Sequence, residues 1–148
     1  ILAMHKLRFC SAVLVFWLLM AAVALADRLA ISSSTANIRS GPGTNHEILW
    51  KVEKYHPILV ERTSGEWYEF TDYEGDKGWV HKSLVDRIKT VITKGDISNI
   101  RSGPGTKFKV LFKVEKGIPF KVVKRKGSWI HLQHADGDEG WIHASLVW

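Results

Sequence analysis

The chain has 148 residues, 21 Lys and Arg against 15 Asp and Glu for a formal charge of +6, and a 45% hydrophobic content that includes seven tryptophans. That length allows one ordinary domain or two very small ones. A single cysteine excludes a disulfide framework and a cysteine-built metal site.

In chain order, His5, Lys6 and Arg8 give a positive start, Phe9 to Leu25 is almost wholly apolar, and Ala24-Leu25-Ala26 is a small-x-small site ahead of Asp27. This is the order of a secretory signal peptide. Residues 1–26 are therefore expected to be removed, with Met4 a candidate start, and the rest exported to the periplasm or the cell exterior. The alternative is a retained membrane anchor, because the run nears the roughly 18 residues that span a bilayer. Cys10 lies inside the leader, so the exported part carries no thiol.

Beyond the leader the sequence is written twice. The octapeptide Asn37 to Thr44 recurs as Asn99 to Thr106, and the offset of 62 holds without a gap to the end. Lys51-Val52-Glu53-Lys54 returns as Lys113-Val114-Glu115-Lys116, Gly65 and Trp67 as Gly127 and Trp129, and Gly78-Trp79 as Gly140-Trp141. Repetition at a fixed period marks copies of one structural unit. Two units of about 60 residues are expected, 27–86 and 87–148.

Each unit reads as strands and turns. Arg28 to Ile31 and Thr90 to Thr93 are first strands of their units. In the second unit, Phe108 to Val114, Ile118 to Lys124, Trp129 to Gln133 and Gly140 to His143 are short β-rich runs. Lys116-Gly117, Arg125-Lys126-Gly127 and Asp136-Gly137-Asp138 punctuate them as turns. Strands at this spacing, with no helical stretch outside the leader, predict an all-β chain of two small meandering barrels. The linker Asp86 to Lys89 is too short for the units to tumble freely.

The ordered set N-I-R-S-G-P-G-T, a strand, K-G-x-P-F, G-S-W and a closing G-W-I-H-x-S-L-V resembles the bacterial SH3 (SH3b) domain, in both units. The resemblance implies a five- to six-stranded SH3-like barrel in each. It further implies a non-catalytic module of the cell envelope, of the kind that accompanies wall hydrolases and binds peptidoglycan or its peptides. The first unit departs at Tyr55-His56, where the second has Gly117-Ile118, and one altered turn is expected there. The proline-binding signature of eukaryotic SH3 domains is not visible.

The Gly-Pro-Gly stretch does not read as a phosphate loop, which needs Gly-Lys-Ser/Thr opening a helix. Glycine for positive φ and proline for a preset φ suit a tight turn instead. Arg39 and Arg101 just before it either brace the turn carbonyls or grip a ligand carboxylate. Trp79 and Trp141, flanked by glycine and a β-branched residue, are expected as core plugs. Trp67 and Trp129 are expected half exposed, and Trp67 with Tyr68 and Tyr73 would make an aromatic groove for sugar or peptide. His81 and His143 are expected as exposed or capping residues. No His-Glu-x-x-His spacing, nucleophile elbow or repeated acid pair is present, so no metal, cofactor or catalytic residue is expected.

Charge divides the halves. Residues 27–86 hold 7 Lys/Arg against 10 Asp/Glu, net −3, and residues 87–148 hold 12 against 5, net +7. Lys124, Arg125 and Lys126 gather at a hairpin tip, either guarding a strand edge or meeting an anionic envelope polymer. The expected partner is peptidoglycan, a cell-wall peptide or an envelope protein that the module targets. Export makes nucleic acid a poor partner, and a membrane is met only through an uncleaved leader.

Overall fold

The computed structural model describes residues 26–148. The leader reading rests on residues outside that range. Thirteen strands follow in order: β1 (Asp27–Ile31), β2 (Thr35–Arg39), β3 (Ile48–Glu53), β4 (Pro57–Ser64), β5 (Trp67–Thr71), β6 (Lys77–His81) and β7 (Val85–Asp86) in the first unit. The second unit has β8 (Thr90–Ile92), β9 (Ile97–Arg101), β10 (Val110–Glu115), β11 (Pro119–Lys126), β12 (Trp129–Gln133) and β13 (Glu139–His143). One-turn 3-10 helices, Lys82–Leu84 and Ala144–Leu146, follow β6 and β13.

The two sheets have the same topology. The first is ordered β3-β2-β6-β5-β4-β1-β7 and the second β10-β9-β13-β12-β11-β8. All the strand pairs are antiparallel, as hairpin connections allow. Alternation puts one side of each strand inward: Ala36 and Ile38 of β2 are buried, while Asn37 and Arg39 face out. Leu29, Ile31, Ile38, Ile58, Phe70 and Val80 close the first core. Val91, Ile100, Phe120, Ile130, Leu132 and Ile142 close the second. The chain is all-β over the described residues, as expected.

Two local expectations need correction. The glycines of the Gly-Pro-Gly turns do not adopt positive φ. They are needed for close approach: a Cβ on Gly41 would meet the His46 ring at 2.5 Å, and one on Gly103 the Phe108 ring at 2.5 Å. The turn at Tyr55 is also unaltered. Tyr55 has φ 73° where Gly117 has φ 82°, and the amide of each bonds the equivalent carbonyl, Ile31 or Thr93, at 2.8 Å. The first unit keeps the turn by holding a tyrosine in the left-handed region, where an L side chain crowds its own backbone.

The barrels meet across residues 87–89, and their contacts are reciprocal. Glu53 of the first unit approaches His134 of the second (3.8 Å), and Glu74 of the first approaches Lys116 of the second (4.0 Å). By the offset of 62, the turn of residues 53–55 in each unit faces the loop of residues 72–74 in the other. Arg28 donates to the carbonyl of Thr90, its own repeat equivalent, at 3.2 Å. The pattern is that of a two-fold dimer written into one chain.

Candidate functional site

Period-two alternation brings Asn37 and Arg39 to one face of β2. Trp67 begins β5 and His81 ends β6; they are cross-strand partners, with rings edge to face at 5.2 Å and 88°. Together with Thr35, Thr44 and Leu84 they line a groove of about 220 Å³. The second unit repeats it: Asn99, Arg101, Thr106, Trp129, His143 and Leu146, with Ile97, line about 310 Å³. The Trp129 and His143 rings again meet at 5.2 Å and 86°.

The arginine and the histidine of each groove are held from behind. Arg39 Nη1 donates to the carbonyls of Thr44 (3.1 Å) and His46 (2.9 Å), and Arg101 Nη1 to those of Thr106 and Phe108 (both 3.0 Å). The arginines therefore brace the Gly-Pro-Gly turns, while Nη2 and Nε of the same fork remain for another acceptor. His81 Nδ1 accepts from the Ser83 amide at 3.2 Å and caps the 3-10 helix, and His143 does the same for Ser145. That leaves the proton of the neutral ring on Nε2.

The predicted residues separate into groups. Arg39 joins Trp67, and Arg101 joins Trp129. Tyr68 and Tyr73 do not join them, which corrects the expected three-ring groove. Tyr68 follows Trp67 on the strand, so it points the other way and packs against the first core. Tyr73 sits beyond β5, beside His56 and Gly117 at the junction between units. Lys124, Arg125 and Lys126 likewise diverge. They are the last residues of β11 rather than the turn itself; Lys124 lies over the Trp141 ring at 5.6 Å, and Arg125 lines a cavity between the units.

Trp79 and Trp141 are not core plugs. The glycine before each faces inward against an isoleucine, Ile38 or Ile100, so the tryptophan faces out. Trp79 lies below the Arg62 guanidinium (5.6 Å). Trp141, though only 9% exposed, is covered by a stacked His131 ring at 5.0 Å rather than by the core. The residues that sequence reasoning missed are Asn37/Asn99, Thr44/Thr106 and the groove role of His81/His143. Their signal was available: they face outward yet are identical in both copies, whereas core pairs such as Ile58/Phe120 and Phe70/Leu132 differ.

With this geometry in hand, the relatives are informative. The model for the bacterial SH3 domain matches residues 32–87 and again residues 94–148. The chain belongs to the bacterial SH3 domain family. A Bacillus subtilis protein named putative N-acetylmuramoyl-L-alanine amidase YrvJ is 30% identical over 130 residues, covering 79% of this chain and 24% of that protein. Probable cell wall amidase LytH of Staphylococcus epidermidis is 39% identical over 61 residues, 40% of this chain and 21% of its own. The chain thus spans about a quarter or less of these relatives. An NlpC/P60 family protein from Bacillus cereus overlays 82% of this chain and 56% of its own, at a TM-score of 0.38 and 13% identity, too loose a match to add to the assignment.

Each SH3 unit also has a second groove, between β3 or β10 and the loop after β5 or β12. In the first it encloses about 650 Å³ lined by Trp50, Glu53, His56, Asp72, Tyr73, Glu74 and Asp76. Burial holds the His56 ring neutral, down to about 4, with Glu74 opposing, and its Nε2 has no partner. Burial foremost, then Glu74, pushes the Tyr73 hydroxyl well above its ordinary value. The second SH3 unit has Phe112, Ile118 and His134 at the positions of Trp50, His56 and Asp72, in a cavity of about 400 Å³. Though larger, this groove is chemically different in the two units. The smaller groove keeps its chemistry in both, which makes it the better candidate site.

Proposed function

We propose that the repeated small groove binds a segment of peptidoglycan, its peptide or its glycan, and that the protein is an exported, non-catalytic wall-binding module. One observation carries this reading: Asn, Arg, Thr, Trp, His and Leu converge identically in both units, while core positions such as Ile58/Phe120 and Phe70/Leu132 and second-groove positions such as Trp50/Phe112, His56/Ile118 and Asp72/His134 differ. The chemistry fits. An indole beside an imidazole offers an apolar wall for a sugar face or a peptide backbone. The spare nitrogens of a braced guanidinium suit a carboxylate, and an asparagine amide both donates and accepts. Two grooves with the same six side chains on one short chain raise avidity for a repeating polymer without a new contact. The names of the relatives, amidases of the cell wall, agree with a module used at that polymer.

Purified sacculi provide the test. The wild-type protein is expected in the pellet, and the Trp67→Ala/Trp129→Ala variant is expected to lose about tenfold or more in apparent affinity, as two aromatic anchors are removed. Each single variant should fall between, because one groove remains. Undiminished pelleting of a folded double variant would falsify the groove assignment. Failure of the wild type to pellet, together with co-purification of a hydrolase, would instead assign the module to a protein partner.

A further inference from the structure

Between the two barrels, away from both small grooves, the linker runs beside a cavity of about 360 Å³ lined by Arg28, Arg87, Lys89, Thr90, Val122 and Arg125, with Ile88. Four of these side chains are cationic and none is acidic. Two carboxylates come near, both outside the lining: Asp27 meets Arg87 at 3.4 Å, with both groups exposed, and Asp86 Oδ1 accepts from the Arg87 backbone amide at 2.7 Å. Among the described residues, Arg28, Lys89 and Arg125 form no ion pair.

The cavity is built rather than incidental. Arg28 is fixed by its bond to the Thr90 carbonyl (3.2 Å) and by the Trp148 ring beneath its guanidinium (4.2 Å). Burial, and then the positive charge of Arg125, disfavours the Arg28 cation and lowers its pKa. Thr90 is 4% exposed and its hydroxyl has no hydrogen-bond partner. A buried hydroxyl without a partner is unfavourable unless something arrives to bond it. Every hydrogen-bonding side chain facing the cavity can donate. The guanidiniums and the ammonium can do nothing else.

We propose that this junction is a phosphate-binding site, taking a phosphomonoester or pyrophosphate group. Guanidinium forks match the paired oxygens of a tetrahedral oxyanion, and several cations suit a group carrying more than one negative charge. The cavity exceeds a bare ion, so the phosphate is carried on a larger molecule or paired with a second phosphate. Arg28 comes from the first unit, Arg87 and Lys89 from the linker, and Thr90 and Arg125 from the second. A bound phosphate therefore ties the two barrels together. The site shares no residue with the small grooves, so either assignment can fail without the other.

The test is calorimetric titration of the chain Asp27–Trp148, whose two cores close within those residues, with pyrophosphate and with inorganic phosphate at an ionic strength held constant by sodium chloride. Saturable binding at one site is expected, tighter for pyrophosphate. Arg125→Gln and Lys89→Gln should each weaken it about tenfold, the loss of one charge-assisted bond. Thr90→Val, which changes no charge, should weaken it several-fold. Lys109→Gln, the same charge change at an exposed loop position, should leave it unaltered. Equal weakening by Lys109→Gln, or no saturable binding above chloride, overturns the proposal. Vesicles containing phosphatidic acid separate the sources. Sedimentation abolished by Arg125→Gln assigns the phosphate to a lipid, and pyrophosphate binding without sedimentation assigns it to a soluble or polymer-borne group.

Discussion

His56 occupies the position of Ile118, and the exchange places a titratable ring where the second unit has an aliphatic one. The ring is 7% exposed with an unpartnered Nε2, and it resists protonation down to about 4. An unfolded histidine takes up its proton near 6.5. Between about 6.5 and 4 the unfolded state therefore binds more protons, and stability falls as the pH is lowered through that window. At pH 5 the loss relative to neutral pH is about 2 kcal/mol from this residue. Urea titrations of wild type and His56→Ile at pH 5 and 7.5 check it: the variant should lose that part of the pH dependence. It should also be the more stable at both values, since an unpaired buried polar group is gone. The neighbouring residue gives an independent expectation. Tyr55→Gly relieves a left-handed tyrosine and should raise stability by about 0.5–1 kcal/mol. Gly117→Ala should lower it by about 1–2 kcal/mol, because the new Cβ combines φ 82° with a 2.8 Å approach to the Tyr73 hydroxyl.

Each octapeptide is a strand end and a turn made rigid from two sides. The ring of His46 or Phe108 presses on the first glycine, and an arginine ties the turn carbonyls to β2 or β9. Gly103→Ala is expected to cost about 1–3 kcal/mol in thermal or denaturant unfolding through overpacking against Phe108. Much of that cost should vanish in a Phe108→Ala background, a coupling that a double-mutant cycle measures. The turn was legible because glycine and proline punctuate a β pattern. That ring contact, rather than positive φ, requires the glycine was not legible, because residues five apart in a loop have no fixed geometry. The same limit explains the tryptophans. Glycine-Trp-Val and glycine-Trp-Ile read equally well with either face inward, and only the packing of Gly78 and Gly140 on Ile38 and Ile100 sets the register.

The two barrels carry charges of opposite sign, net −3 over residues 27–86 and +7 over residues 87–148, and they meet through repeated elements used reciprocally. The ion pairs across the junction are exposed and contribute little. The more committed contact is Arg28, which bonds the Thr90 carbonyl and lies on Trp148. Arg28→Ala should therefore loosen the units without unfolding either core. Trypsin cleavage after Arg87 and Lys89 should accelerate while the circular dichroism spectrum is retained; an unchanged cleavage rate would show that the other contacts suffice.

Much of this architecture followed from the residues alone. The offset of 62 points to two copies of one unit, and short β-rich runs between turns point to an all-β chain, because repetition and strand period are one-dimensional properties. Arg39, Arg101, Trp67 and Trp129 stand out in the sequence as separate candidates, but not the convergence of Arg39 and Trp67 with Asn37, Thr44 and His81, or of Arg101 and Trp129 with Asn99, Thr106 and His143. Convergence depends on β2 lying beside β6 in the sheet, a neighbour relation between strands far apart in the chain. The same is true of the separation of Lys124 from Arg125, whose side chains leave one strand toward different surroundings, and of the basic cavity between units. Which residues are present was decided by the sequence. Which of them share a surface was decided by the fold, because proximity across a sheet is set by pairing and register rather than by distance along the chain.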